Sequence, residues 1–138
     1  MRRWISLIAV IIVVAGIFYL TLQKPAETGA LTETARSWLG IIGINVEAKP
    51  LRHYIHYVMY LLLGLAVCGF CVDRSIPLRI GLIAGCGIGM LDEALKVLLP
   101  TREFDVTDLL RDVVGVGVAV AITASAMKRS RNNNRRPS

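Results

Sequence analysis

Residues 4–22 read WISLIAVIIVVAGIFYLTL, an apolar run with no Asp, Glu, Lys or Arg in it. A helix needs about 20 such residues to cross roughly 30 Å of hydrocarbon. Arg2 and Arg3 precede the run. A secretory signal also has a basic start, but its apolar core is shorter and a small-residue cleavage site follows it. Leu22-Gln-Lys-Pro-Ala26 offers no such site, so the segment is expected to remain as a helix.

Three further runs follow, and together they predict spans at about 4–22, 54–72, 79–99 and 106–127. Pro77 stands where a first helical turn tolerates proline, and Pro100 closes the third run. The chain has 138 residues and is 54% apolar. A soluble domain this small has too high a surface-to-volume ratio to bury so much apolar surface, so lipid must cover part of it. The fold expected is an all-α membrane protein, a four-helix transmembrane bundle forming one domain over 1–127. Residues 128–138 carry Lys128, Arg129, Arg131, Arg135 and Arg136 and read as a basic, disordered tail.

The net charge of +6 would suit nucleic acid, but the basic residues flank the apolar runs rather than covering a face, so no nucleic-acid partner is expected. Cys68, Cys71 and Cys86 sit within apolar stretches and read as small hydrophobic residues. Cys68-Gly-Phe-Cys71 has redox spacing but lacks the βαβ setting that would give it meaning. Between the first two spans, Leu31, Ala35, Trp38, Leu39 and Ile42 recur at helical spacing opposite Glu33, Arg36 and Ser37. This segment is too short and polar to cross, and reads as an amphipathic helix in the membrane interface.

Orientation follows from the distribution of Lys and Arg. With the N-terminus inside, the inner segments hold Arg2, Arg3, Arg74, Arg79 and the basic tail. The outer loops mix Lys24, Arg36, Lys49, Arg52 and Arg102 with Glu27, Glu33, Glu47, Glu103 and Asp105. Both termini are therefore expected to be cytoplasmic.

Charge interrupts the apolar pattern at three places, all toward the outer side. Arg52, His56 and Tyr60 follow i, i+4, i+8 on the second span and share one face, which Gly64 continues. Asp92, Glu93 and Lys96 lie inside the third, with Asp92 about 20 Å from the inner border at the helical rise. On the fourth span Asp105, Asp108, Asp112 and Gly115 share a face, and Asp112 is on the order of 10 Å below the outer border. A charge at this depth costs roughly 2.5–3.5 kcal/mol or more if it faces lipid. The four carboxylates of Asp92, Glu93, Asp108 and Asp112 must therefore face inward, with Lys96, Arg111, Arg102, Arg52 and His56 as available partners. Gly81, Gly85 and Gly89 form a stripe of small residues that lets helices approach closely in a membrane. The stripe serves either packing within the chain or a homodimer face.

Arg52-His-Tyr-Ile-His56-Tyr-Val-Met-Tyr60-Leu-Leu-Leu-Gly64 resembles the R-K-x-x-H-F-x-E-Y-x-x-L-G stretch of VanZ-like membrane proteins. Asp92-Glu93-Ala-Leu-Lys96-Val-Leu-Leu-Pro100-Thr-Arg102 is similar to their D-E-x-x-Q-x-x-x-P-G-R, and Asp108-Leu-Leu-Arg-Asp112-Val-Val-Gly115 to their D-x-x-x-N/D-x-x-G. Order and spacing agree across residues 52–117. His53, Met59, Lys96 and Thr101 depart from the usual Lys, Glu, Gln and Gly. The resemblance implies a multi-pass protein of the bacterial cytoplasmic (inner) membrane, with a cell-envelope role linked to resistance to the glycopeptide teicoplanin. It supplies no reaction. The missing acidic residue at position 59 weakens any metal site.

Three functions compete. In the first, the protein binds membrane lipids, taking an envelope-lipid or glycopeptide-related ligand at a set comprising Arg52, His56, Tyr60, Asp92, Glu93, Lys96, Arg102, Asp108 and Asp112. Arginine suits phosphate through its forked donors. In the second, it is a membrane enzyme acting on a lipid-linked substrate, with His56 as general base and Asp92 or Asp112 orienting it. In the third, it is a structural or accessory subunit whose charges lock the bundle. The sequence offers no activated serine or cysteine nucleophile and no metal-ligand spacing. No metal or cofactor is expected, and binding ranks ahead of catalysis.

Overall fold

The computed structural model describes residues 2–23, 25–44, 47–99 and 104–134. Among them are five helices and no strand: α1 (Arg2–Leu22), α2 (Pro25–Ile41), α3 (Ala48–Asp73), α4 (Leu78–Lys96) and α5 (Val106–Asn133). Three segments, Arg3–Leu22, His53–Asp73 and Val106–Asn133, are long and apolar enough to cross a membrane. α4 is of comparable length but carries Arg79, Asp92, Glu93 and Lys96, and this charge separates it from the other three.

α3 is the hub and packs against α1, α2, α4 and α5. Its C-terminal end is tied to the start of α1: the Arg74 guanidinium donates to the Arg3 carbonyl at 3.0 Å and to the Ser6 hydroxyl at 3.4 Å. Arg74 also lies over the Phe70 ring, 3.8 Å from its centroid. The chain leaves α3 through a Schellman turn, in which Ile76 N–H donates to Cys71 O at 2.8 Å and Ser75 N–H to Val72 O at 3.2 Å. Ser75 occupies the left-handed position at φ 58°, which glycine usually fills. Pro77 then caps the start of α4. At the opposite end of the bundle the Thr21 hydroxyl of α1 meets Asp92 of α4. α1 and α4 therefore run parallel to each other and antiparallel to α3 and α5, which themselves run parallel and meet at their N-terminal ends through His56, Asp108 and Asp112.

Burial is inverted relative to a soluble protein. Ile12 and Ile83 are 64% and 66% exposed, whereas Glu93 and Asp112 are 0% and 1% exposed. The interior holds Ile17, Tyr60, Leu63, Val67, Cys71 and Val116 packed together. Gly81, Gly85 and Gly89 all face the chain's own helices: a Cβ would meet Cys71 Sγ at 3.2 Å, Val116 Cγ1 at 2.7 Å and Asp112 Cβ at 3.3 Å, respectively. The small-residue stripe is used here for packing within the chain.

Three boundaries differ from expectation. α3 begins at Ala48 rather than Tyr54, because Pro50 falls in its first turn, where a missing N–H costs nothing. α4 ends at Lys96 and gives way to tight turns, with Leu98 N–H bonded to Leu95 O and Leu99 N–H to Lys96 O. Leu99 precedes Pro100, and a residue before proline is pushed out of the α region. α5 runs on to Asn133, through part of the segment read as a disordered tail. Lys and Arg are good helix formers and their charge suits the negative end of the helix dipole.

Glycine packing fixes the α3–α5 distance, which gives a direct test. A Cβ on Gly64 would lie 2.6 Å from Ala119 Cβ and 3.1 Å from the Val116 backbone, while one on Gly69 meets nothing within 4 Å. Gly64→Ala should destabilise the protein in detergent by about 1–3 kcal/mol, whereas Gly69→Ala should be neutral or stabilising by up to about 1 kcal/mol, as read from thermal or SDS-induced unfolding.

Candidate functional site

The charged residues of three helices converge at the end of the bundle away from Arg74. The face shared by His56, Tyr60 and Gly64 on α3 meets α4 and α5, and glycines set the approach. Gly115 of α5 abuts the Tyr57 carbonyl and Tyr60 Cβ, and Gly89 of α4 abuts Tyr60 and Asp112. A larger residue at either position would push the helices apart and separate the charges.

His56 lies between two carboxylates of α5. Its Nδ1 is 3.2 Å from Asp112 Oδ1 and its Nε2 is 3.8 Å from Asp108 Oδ2. The Nδ1 contact is at hydrogen-bond distance, whereas the Nε2 contact is longer than a hydrogen bond. Tyr60 stacks on His56, with centroids 6.5 Å apart and planes 5° from parallel. Lys96 pairs with Glu93 one turn back, and its ammonium lies 3.7 Å from Asp92 Oδ2 and 4.0 Å from Asp108 Oδ2. Arg111 pairs with the other oxygen of Asp108. Glu93 also accepts the Asp105 N–H at 3.2 Å, which joins α4 to the start of α5. Asp105 caps α5 by accepting the Thr107 N–H at 2.7 Å, and that bond holds its carboxyl below the ordinary value.

The network is incomplete among the described residues. Thr21 Oγ1 lies against Asp92 Oδ1 and 3.0 Å from the Ile17 carbonyl, and its single proton serves one of them at a time. The Tyr60 hydroxyl and Asp112 Oδ2 are buried without a hydrogen-bond partner. The Tyr60 hydroxyl feels the charge of Asp92, Asp112 and Glu93, yet makes no bond of good geometry with any of them.

Beside this cluster is a cavity of about 280 Å³. Ile17, Leu20, Leu31, Ile55 and Met59 supply apolar wall, and Thr21, Thr32, His56, Tyr60, Asp92 and Lys96 supply its polar lining. α2 contributes Leu31 and Thr32 to this lining, so it covers one side of the site.

Of the residues singled out by sequence, His56, Tyr60, Asp92, Glu93, Lys96, Asp108 and Asp112 come together. Arg102 lies outside the described residues, as does the side chain of Arg52. Lys96 lines the cavity and pairs with Glu93. Thr21 and Thr32 escaped the sequence reading; each is a hydroxyl in or beside an apolar run, and only the position of Thr21 one turn beyond Ile17 hinted at a polar contact. Sequence spacing shows no metal-ligand set, yet the fold brings carboxylate oxygens of Asp92, Glu93 and Asp112 within 4.8 Å of one another, near enough to hold a metal ion. The Lys96 ammonium already lies against two of these three carboxylates.

Neither a protein-family model, nor a curated protein, nor a solved structure matches this chain.

Removing one partner of a buried ion pair strands the other's charge. Lys96→Met should therefore cost about 3–5 kcal/mol of stability. Adding Glu93→Gln should restore most of that loss, because the amide keeps an acceptor for Asp105 N–H without the charge. A double-mutant cycle measured by unfolding in detergent checks this.

Proposed function

We propose that this chain is a VanZ-like, four-span protein of the bacterial cytoplasmic membrane that binds an envelope lipid, holding a single apolar chain in the cavity and its head group against the charged cluster. α4 is the fourth span in this reading. At 19 residues it extends about 28 Å, close to the hydrocarbon thickness. Its carboxylates and Lys96 are buried against the other helices rather than turned outward, so lipid meets little of its charge.

The observation that carries the proposal is the cavity, apolar over one part and charged at the other, which matches an amphiphile. Its volume falls near the lower end of the roughly 300–1,000 Å³ typical of small-molecule sites. That suits one chain or one head group and is too small to enclose a whole glycopeptide. The VanZ-like resemblance supports the same site, because its motif positions at His56, Tyr60, Asp92, Glu93, Asp108 and Asp112 are those that converge in space. An acid–base role for His56 is the second reading: Asp112 holds Nδ1 at 3.2 Å, while Nε2 lies 3.8 Å from Asp108, too far for a hydrogen bond.

The inward orientation of both termini rests on the basic residues. Arg3, Arg74 and Arg79 lie at the end of the bundle opposite the cluster, and α5 ends there with Lys128, Arg129 and Arg131. In this orientation the cluster faces outward, and α2, with Trp38 and Ile41 68% and 75% exposed, lies in the outer interface.

Two measurements test this reading. Met59→Trp fills the cavity and should abolish retention of single-chain lipids in native mass spectrometry of the folded protein; undiminished retention would falsify the cavity as the site. A fluorescent protein fused to the C-terminus should fluoresce while an alkaline phosphatase fused there stays inactive. The reverse result would overturn the orientation.

A further inference from the structure

On the lipid-binding reading above, the head group must suit the charges that surround the cavity. Charged groups reach the cluster from three helices: His56 from α3; Asp92, Glu93 and Lys96 from α4; Asp108, Arg111 and Asp112 from α5. α1 adds only the Thr21 hydroxyl. Among the described residues, four carboxylates thus face one lysine, one arginine and one imidazole. Each already has a carboxylate partner: Glu93 and, at 3.7 Å, Asp92 for Lys96, Asp108 for Arg111 and Asp112 for His56.

What is left over is acceptor capacity. Asp92, 2% exposed, lines the cavity; it shares the Thr21 proton, has the Lys96 ammonium at 3.7 Å and lies beside the Tyr60 hydroxyl. Tyr60, 1% exposed, lines the cavity with a hydroxyl that has no partner. Behind them Asp112, 1% exposed, keeps Oδ2 unpaired. A phosphate would bring further acceptors and negative charge to this place. An ammonium brings one positive charge and three donors.

We propose that the cavity selects amphiphiles bearing a protonated amine, whose ammonium is held by Asp92 and the Tyr60 oxygen, with Asp112 adding long-range attraction. This departs from the phosphate preference expected from sequence at one of its three cations, Lys96, which is paired with Glu93.

The test uses the full-length protein in a neutral detergent with an equimolar mixture of dodecylamine, dodecanol and dodecyl phosphate, which share one tail. Retention is read by native mass spectrometry. A charge-assisted hydrogen bond corresponds to a preference of about tenfold or more, so the amine should be retained over the alcohol by that factor, and the phosphate least. Asp92→Asn should abolish the preference, bringing amine retention down to that of the alcohol. The wild-type ratio needs no variant to fold. Equal retention of all three, or preference for the phosphate, overturns the head-group assignment while leaving the cavity reading intact. Retention of none of them, or retention undiminished in Met59→Trp, overturns the cavity reading itself. Calcium binding by the wild-type protein without any amine preference would reassign the carboxylates to a metal.

Discussion

Four carboxylates are buried beneath an apolar outer surface, and nearly everything else in the structure answers to them. A carboxylate without water must be paired or hydrogen-bonded, and the penalty for an unpaired one is several kcal/mol. α4 carries Asp92 and Glu93 on adjacent positions, so it needs neighbours on both sides. α3 supplies His56 and Tyr60, α5 supplies Asp108 and Asp112 with Arg111, and α1 supplies Thr21. The pairing defines which helices meet and at which end.

Pairing at these distances requires backbones that approach closely, and the glycines provide it. Gly64 and Gly85 leave room for Ala119 and Val116, and Gly89 and Gly115 leave room for Asp112 and Tyr60. In lipid there is little hydrophobic drive between helices, so packing and interhelical polar contacts carry association. Here the two act at the same residues. Gly89 and Gly115 sit beside the ion pairs, so shape and charge fix the same register. The contact of Arg74 with Arg3 and Ser6 closes the opposite end.

Much of this was legible because helices impose a 3.6-residue period. His56, Tyr60 and Gly64 fall on one face of α3, and Asp108, Asp112 and Gly115 on one face of α5, from spacing alone. The need to hide charge from lipid then forces those faces together. Other features carry no periodic signal. Thr21 is one hydroxyl at the end of an apolar run, and its meeting with Asp92 depends on how α1 crosses α4. Leu31 and Thr32 reach the cavity through the docking of α2 on α3, which amphipathicity does not specify. The commitment of Lys96 to Glu93 is an i, i+3 contact open to sequence reasoning, but Asp92 at i−4 competes for the same ammonium and side-chain geometry decides.

A network whose only task was to lock the bundle would be expected to close on itself, since each unsatisfied buried group subtracts from the stability it exists to provide. Most of this one does close: Lys96, Arg111 and His56 each hold a carboxylate. The groups left open are not scattered. Tyr60, whose hydroxyl lacks a partner, lines the cavity with Asp92, and Asp112, whose Oδ2 lacks one, has a carboxylate oxygen within 4.8 Å of one from Asp92. The cost of leaving those acceptors unmet falls at the one place where a small molecule has room to meet them. That coincidence favours a binding site over a scaffold.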